Sequence, residues 1–148
     1  MMDEIRGYTP ADLSACAALY SAAFAEEPWR ENWPQELAEN RIRELMVSPL
    51  SRGYLLLRDG RPVGLIAGEA FTYLYGRDFF VHEFCVSPDL QRGGIGTALL
   101  QYVRDELSAE GFAGMFLNTR RGYSSEAFYL KNGFEQADDM ITLYLHLK

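Results

Sequence analysis

Residues 86–100 read VSPDLQRGGIGTALL, a glycine-rich turn between a buried strand and an amphipathic helix, and this order decides the fold. The run of residues 79–86 before the turn is almost wholly apolar, as expected of a central strand covered on both faces. The apolar residues after the turn recur at the spacing of one helix face: Ile95, Ala98, Leu99, Tyr102, Val103 and Leu107. Residues 115–118 then read as a short buried strand, so the sequence predicts a right-handed strand, helix, strand crossover with parallel strands.

The glycine turn has the chemistry of an anion site. Glycine admits backbone conformations that side chains resist, and several N–H groups at a helix start can then approach an anion closely. Together with the helix dipole, this predicts a pyrophosphate ligand. Thr97 and Ala98 follow Gly96 where a P-loop requires lysine, and Leu99 stands where a dinucleotide fingerprint requires glycine. A helix entry without any ligand is the alternative.

Periodicity, caps and turn residues predict the remaining elements. Further strands are predicted at residues 4–8, 53–58, 62–70 and 141–147, with Asp59-Gly60 as a tight hairpin turn. Further helices are predicted over residues 9–26, 34–48 and 125–131. A chain of 148 residues can bury one continuous core, so we expect a single domain over residues 1–148.

The acidic composition argues against a nucleic-acid partner. The formal net charge is −7 and the 14 Lys and Arg residues are scattered, whereas phosphate backbones require clustered cations. An acidic surface suits a cationic partner, although it also serves solubility alone. Cys16 and Cys85 give neither a disulfide framework nor a zinc spacing, and no stretch resembles a leader or a membrane span. We therefore expect a cytoplasmic protein with no metal and no membrane partner.

Two motifs carry a resemblance to a known family. Residues 86–100 closely resemble the acetyl-CoA-binding motif of the GNAT acetyltransferases, whose core pattern is Gln/Arg-x-x-Gly-x-Gly/Ala. Residues 128–134, FYLKNGF, resemble that family's second signature, an aromatic residue and a tyrosine followed by Gly-Phe. The resemblance implies an α/β (α+β) fold: a mixed, mostly antiparallel sheet of six to seven strands with a splayed parallel pair, flanked by about four helices. It also implies an N-acetyltransferase that uses acetyl-CoA as cosubstrate.

The same resemblance implies cofactor contacts. Two adjacent parallel strands, ending here at Val86 and Asn118, are expected to splay apart and admit the pantetheine arm, with Asn118 in a polar role. The main chain of Phe84, Cys85 and Val86 is expected to line the thioester. The residues expected around the pyrophosphate are Gln91, Arg92, Gly93, Gly94, Ile95, Gly96 and Thr97.

Acetyl transfer to an amine requires removal of a proton, because alkyl amines resemble lysine, whose pKa is about 10.4. Glu83 lies in the apolar strand and is the leading candidate base, and family members often carry a glutamate at a similar place. A carboxylate that binds a cationic substrate, or one that is simply paired within the sheet, is the open alternative. His82 also has suitable chemistry but is less favoured than Glu83, because neighbouring strand residues point to opposite faces, so the two cannot project the same way into one cleft. A hydrogen-bonded structural histidine is the alternative for His82.

The leaving thiolate of CoA must be protonated, and the resemblance places the general acid at Tyr129. A buried tyrosine that only packs is the alternative. Some family members carry a catalytic glutamate on the strand that corresponds to residues 115–118, but no acid occurs there in this chain.

Family members build their acceptor site from the first two helices, their connecting loop and the final strands. The loop, residues 26–33, reads EEPWRENW. Glu27, Trp29 and Trp33 could hold a cation together with Glu83, although both indoles could equally be core anchors. We therefore expect a small, cationic amine acceptor of polyamine or aminoglycoside type. The alternatives are a protein N-terminus, a lysine side chain, or acyl-CoA binding without catalysis, and analogy with the family allows a homodimer.

Overall fold

The elements of the chain largely follow the predicted order. The computed structural model describes residues 2–148. The strands are β1 Asp3–Gly7, β2 Ser51–Arg58, β3 Arg61–Tyr73, β4 Gly76–Val86 and β5 Gly114–Phe116. The α-helices are α1 Leu13–Ala25, α2 Gln35–Leu45, α3 Ile95–Ala109 and α4 Ser124–Lys131, with short 3₁₀ turns at Pro10–Asp12 and Pro88–Leu90. Within residues 2–148, none of the helices has the length and apolar content that a membrane span requires.

One mixed sheet joins these strands in the order β1-β2-β3-β4-β5. The first three pairings are antiparallel, and β4 pairs with β5 in parallel, as the crossover through α3 predicts. The predicted mixed, mostly antiparallel α/β architecture is therefore confirmed. The hairpin between β2 and β3 turns at Asp59 and Gly60, whose φ angles of 50° and 81° suit a tight two-residue turn.

The predicted strand count is wrong: over residues 2–148 the sheet has five strands rather than six or seven. The predicted strand at residues 141–147 does not form, and its alternate side chains are exposed: Ile141, Leu143, Leu145 and Leu147. Alternation describes only the two faces of a strand, which also needs a neighbour whose N–H and C=O groups complete the ladder. No strand of the described chain pairs with this segment.

The chain divides into two compact units, Met1–Asn118 and Thr119–Lys148. The first holds the sheet and α1 to α3, and the second holds α4. In the second unit, the Tyr129 ring packs against Phe128 and Phe134 at centroid distances of 5.5 and 5.3 Å. The N–H of Phe134 donates to the Tyr129 carbonyl at 3.0 Å, so the Gly-Phe signature folds back on the helix end.

Helices cover both faces of the sheet in the first unit. On one face, Cys16 of α1 and Ile42 of α2 share a buried cluster with Cys85 of β4. On the other face, the Tyr102 ring of α3 lies 6.4 Å from the Tyr54 ring of β2. The predicted coverage of the central strand on both sides is therefore confirmed.

A β-bulge interrupts β4 beside the predicted base. The β3–β4 register places Ala67 opposite Glu83 and Gly68 opposite Val81. His82 is the extra residue on β4, because two residues advance on that strand while one advances on β3. A bulge of this kind breaks the regular alternation of side chains along the strand.

Candidate active site

The glycine turn leads straight into α3. Gly94 precedes the helix with a φ of 86°, a left-handed conformation that side chains disfavour. The first closing helix bond runs from the N–H of Ala98 to the Gly94 carbonyl at 2.9 Å. The N–H groups of Ile95, Gly96 and Thr97 therefore precede the helix ladder, and no acceptor among residues 2–148 takes them. These donors lie at the positive end of a 15-residue helix, an arrangement that is chemically suited to bind an anion.

The other predicted pyrophosphate residues lie in the same turn. Gln91, Arg92 and Gly93 are exposed, and Arg92 also has a positive φ of 69°. The N–H of Gly93 donates to the Leu90 carbonyl at 3.2 Å, so the turn itself uses this donor. The Gln91 amide donates to the Val86 carbonyl at 3.3 Å and ties the turn to the end of β4.

The parallel pairing of β4 and β5 ends before this turn. The β4–β5 ladder ends at Phe80 and Phe116, although β4 continues from residue 80 to residue 86. The predicted thioester residues 84–86 lie in this last part of β4, and Asn118 lies just beyond β5. The part of β4 without a β5 partner therefore runs from Phe80 toward the glycine turn.

Neither cysteine has the chemistry of a nucleophile. Burial raises the pKa of the Cys85 thiol well above its ordinary value, and burial also raises the pKa of Cys16 to about 12. The thiolate is the form that attacks a thioester, so both side chains are unsuited to carry an acyl group. The arrangement fits direct transfer between two bound substrates.

Glu83 is held by two residues that the sequence did not single out. Its Oε2 accepts hydrogen bonds from the Tyr20 hydroxyl at 2.9 Å and from Nε and Nη2 of Arg41 at 3.0 and 2.8 Å, whereas Oε1 accepts none of these bonds. Burial and the Glu83 charge raise the pKa of Tyr20, so its hydroxyl remains a donor. Arg41 did carry a signal, because it lies between Ala38 and Ile42 on the buried stripe of α2, where a charge requires a partner.

Both tryptophans of the α1–α2 loop pack on α1. The Trp33 ring meets the Tyr20 ring edge-on at 4.9 Å, and the Trp29 ring meets the Phe24 ring at 5.6 Å. The indole N–H of Trp33 donates to Glu31 at 2.8 Å. Trp33 therefore supports the tyrosine that holds the Glu83 carboxylate.

The bulge places His82 and Glu83 on the same face, so the alternation argument against His82 is wrong. The Phe79 ring meets Tyr54 on the α3 face, whereas Glu83, four residues later, bonds to α1 and α2 on the other face. The extra residue accounts for this reversal. His82 packs on Phe80 at 4.7 Å, and Phe80, the strand neighbour of Phe79, faces away from α3.

Comparison with known proteins gives consistent results. Residues 17–134 match the model of the acetyltransferase (GNAT) family. The chain is 35% identical over 137 residues to the ribosomal protein bS18-alanine N-acetyltransferase of Escherichia coli (strain K12), a match that covers 92% of this chain and 83% of that protein.

Solved structures share the fold. A possible acetyltransferase from Clostridium difficile 630 superposes with a TM-score of 0.83 at 17% identity, with 100% of each chain covered. An aminoglycoside acetyltransferase from an uncultured soil metagenomic sample has a TM-score of 0.77 at 17% identity, covering 99% of this chain and 97% of that one. At these identities the likeness concerns the fold alone.

Proposed function

The chain belongs to the GNAT acetyltransferase family and is an acetyl-CoA-dependent N-acetyltransferase, and we propose that its acceptor is the α-amine of a protein or peptide N-terminus. The observation that carries this acceptor class is the 35% identity, over 92% of the chain, with an alanine N-acetyltransferase that acts on a ribosomal protein. The Glu83 contacts support it. An α-amine has a pKa of about 7.7–8.0, whereas a lysine-like amine has a pKa of about 10.4. The α-amine therefore loses its proton much more readily near neutral pH. With Oε2 held by three donors, the Glu83 carboxylate is fixed in place to bind such an amine through Oε1.

On the cofactor side, we propose that the N–H groups of Ile95, Gly96 and Thr97 bind the pyrophosphate, within the turn formed by residues 91–94. The main chain of residues 84–86 would lie along the thioester, where an N–H donor stabilises the negative charge that develops on the acetyl oxygen. Asn118 is proposed to contact the pantetheine arm of the cofactor. The free donors at the start of α3 support this proposal.

Substituting Gly94 by aspartate is expected to weaken acetyl-CoA binding about 30-fold relative to substituting it by asparagine. A Cβ at this position meets no atom within 4 Å, and Asn and Asp tolerate the left-handed conformation about equally, so the two variants differ mainly in charge. The aspartate would stand beside the proposed pyrophosphate position and repel it. Isothermal titration calorimetry with CoA measures the difference. Equal affinities of the two variants for CoA would contradict the assignment of the pyrophosphate to this turn.

On the acceptor side, we propose that Oε1 of Glu83 binds the acceptor ammonium, since Oε2 is already engaged. The amine nitrogen then attacks the acetyl carbonyl directly, because neither cysteine is suited to an acyl intermediate. Tyr129 is proposed to protonate the leaving thiolate. This last assignment rests on the Phe-Tyr and Gly-Phe signature of residues 128–134.

A small cationic amine is the second candidate acceptor. The net charge of −7 and the acidic α1–α2 loop favour it. Within the loop, however, Glu27 is ion-paired with Arg30, and Glu31 accepts the Trp33 indole N–H. Two of the three loop carboxylates that could hold such a cation are therefore already paired within the loop.

The two acceptor classes are separated by an acceptor panel. A peptide with a free N-terminal alanine is expected to give a kcat/KM at least about 10-fold above that of spermidine or kanamycin, because its α-amine is more readily neutralised. Mass spectrometry of the product should place the acetyl group on the α-amine. The same peptide with a blocked N-terminus and one lysine is the control. Preferred acetylation of that lysine, or of the small amines, would contradict the proposed acceptor.

A further inference from the structure

A histidine and glutamate pair lies beside Glu83, on the face of the sheet that α1 and α2 cover. Nε2 of His82 is 3.0 Å from Oε1 of Glu69 on the neighbouring strand. An ionised carboxylate only accepts hydrogen bonds, so in the neutral ring Nε2 carries the hydrogen and Nδ1 keeps its lone pair. The contact with Glu69 thus fixes the tautomer and leaves one ring nitrogen as a proton acceptor.

Packing also fixes the orientation of the imidazole. The Phe80 ring lies 4.7 Å from the His82 ring at an interplanar angle of 76°. The bulge turns His82 toward the side of the sheet on which Glu83 contacts α1 and α2. The side chains of His82 and Glu69 are 26% and 29% exposed, so a proton taken up by the ring can pass to water.

The Glu83 carboxylate is already engaged by neighbouring side chains. Tyr20 and Arg41 donate three hydrogen bonds to its Oε2, and the guanidinium compensates the charge of the carboxylate. The groups that bond directly to His82 or to Glu83 include Glu69 on β3, Arg41 on α2 and Tyr20 on α1. His82 differs from these groups because its ring is oriented and because no donor among residues 2–148 bonds to its Nδ1.

We propose that His82 is the proton acceptor of acetyl transfer and that Glu69 is its positioning residue. The inference rests on the proposed function, because it assigns one step of the same reaction. The acceptor ammonium gives one proton to Nδ1 of His82, and the neutral nitrogen forms a bond to the acetyl carbon. The carbon–sulfur bond breaks, the thiolate takes up one proton from the general acid proposed above, and the nitrogen gives its second proton to water to complete the amide. Water then restores the proton of the general acid. The proton on His82 returns to water.

Substituting His82 by alanine is expected to lower kcat for a peptide acceptor about 100-fold, with the KM for acetyl-CoA unchanged. Added imidazole is expected to restore at least about 10-fold of this loss, because it can occupy the space left by the ring and take the proton. A purely structural histidine would show no such rescue. Glu69→Gln keeps an acceptor for Nε2–H but removes the charge, and it should lower kcat with little change in KM. His146→Ala, which removes the other histidine from an exposed position, is the matched control.

The outcomes distinguish this inference from the proposed function. Wild-type protein that acetylates no amine would overturn the proposed function, whatever the variants do. Active wild type together with a kcat of His82→Ala within about twofold of wild type would overturn the role of His82. If His82→Ala does not fold, His82→Gln takes its place, and an unchanged kcat of that variant has the same meaning. Loss of kcat without imidazole rescue in a folded His82→Ala protein would also overturn it.

Discussion

Glu83→Gln is expected to lower kcat/KM for a peptide acceptor about 100-fold, mainly through a higher KM for that acceptor, while the affinity for acetyl-CoA stays unchanged. The carboxylate is proposed to hold the acceptor ammonium, and its orientation depends on the three donors to Oε2. A neutral amide offers an oxygen of similar shape but no charge to attract the cation. Steady-state kinetics with varied peptide concentration, together with calorimetry for CoA, measure the two effects.

The control for this substitution is Glu110→Gln. Glu110 accepts two hydrogen bonds from Arg52 at 2.7 and 2.8 Å, so this variant also removes a carboxylate from a paired arginine. Its expected activity is that of wild type, since the pair lies at the C-terminal end of α3, opposite the glycine turn. Equal losses of activity in both variants would mean that breaking an ion pair, rather than losing the acceptor contact, explains the Glu83 result.

The local fold around the proposed cofactor site was predictable because its signals are local. The glycines, the helix spacing after Ile95 and the apolar strand before Ser87 lie within one continuous stretch, and each agrees with the others. The structure confirms this order of strand, turn and helix. Local propensity and hydrophobic pattern are enough to predict a structural feature when the residues that form it are neighbours in the chain.

The side-chain contacts of the proposed acceptor site were not predictable in the same way. Tyr20, Arg41 and Glu83 come from three different elements and meet only after α1 and α2 pack on the sheet. The bulge at His82 shifts the strand register by one residue, and the amino-acid pattern of β4 does not predict it. Regular alternation therefore assigned His82 to the wrong face.

The C-terminal segment shows a different limit of the sequence pattern. Ile141, Leu143, Leu145 and Leu147 alternate with other residues as a half-buried strand would require. Their pattern contains no information about which strand could complete the hydrogen-bond ladder. The pattern predicted a strand, and the described chain forms none at this position.

Gly68→Ala is expected to destabilise the protein by about 3 kcal/mol or more. Gly68 is the β3 residue beside the bulge, and an added Cβ would lie 2.0 Å from the Phe80 carbonyl oxygen and 2.9 Å from the Phe79 ring. A backbone oxygen cannot move aside as the end of a flexible side chain can. Urea denaturation, with the midpoint and slope compared with wild type, measures the loss of stability.

Gly7→Ala is the control, because its added Cβ would meet only the Gly53 carbonyl at 3.8 Å, an ordinary contact. Its midpoint should stay close to that of wild type. The Gly68 variant also tests the link between sheet register and chemistry. If the strands escape the clash by closing the bulge, the side chains of Glu83 and Cys85 must exchange faces with their neighbours, and the carboxylate loses Tyr20 and Arg41. A Gly68→Ala protein with wild-type stability and wild-type transfer rates would show that the bulge does not hold Glu83 in place.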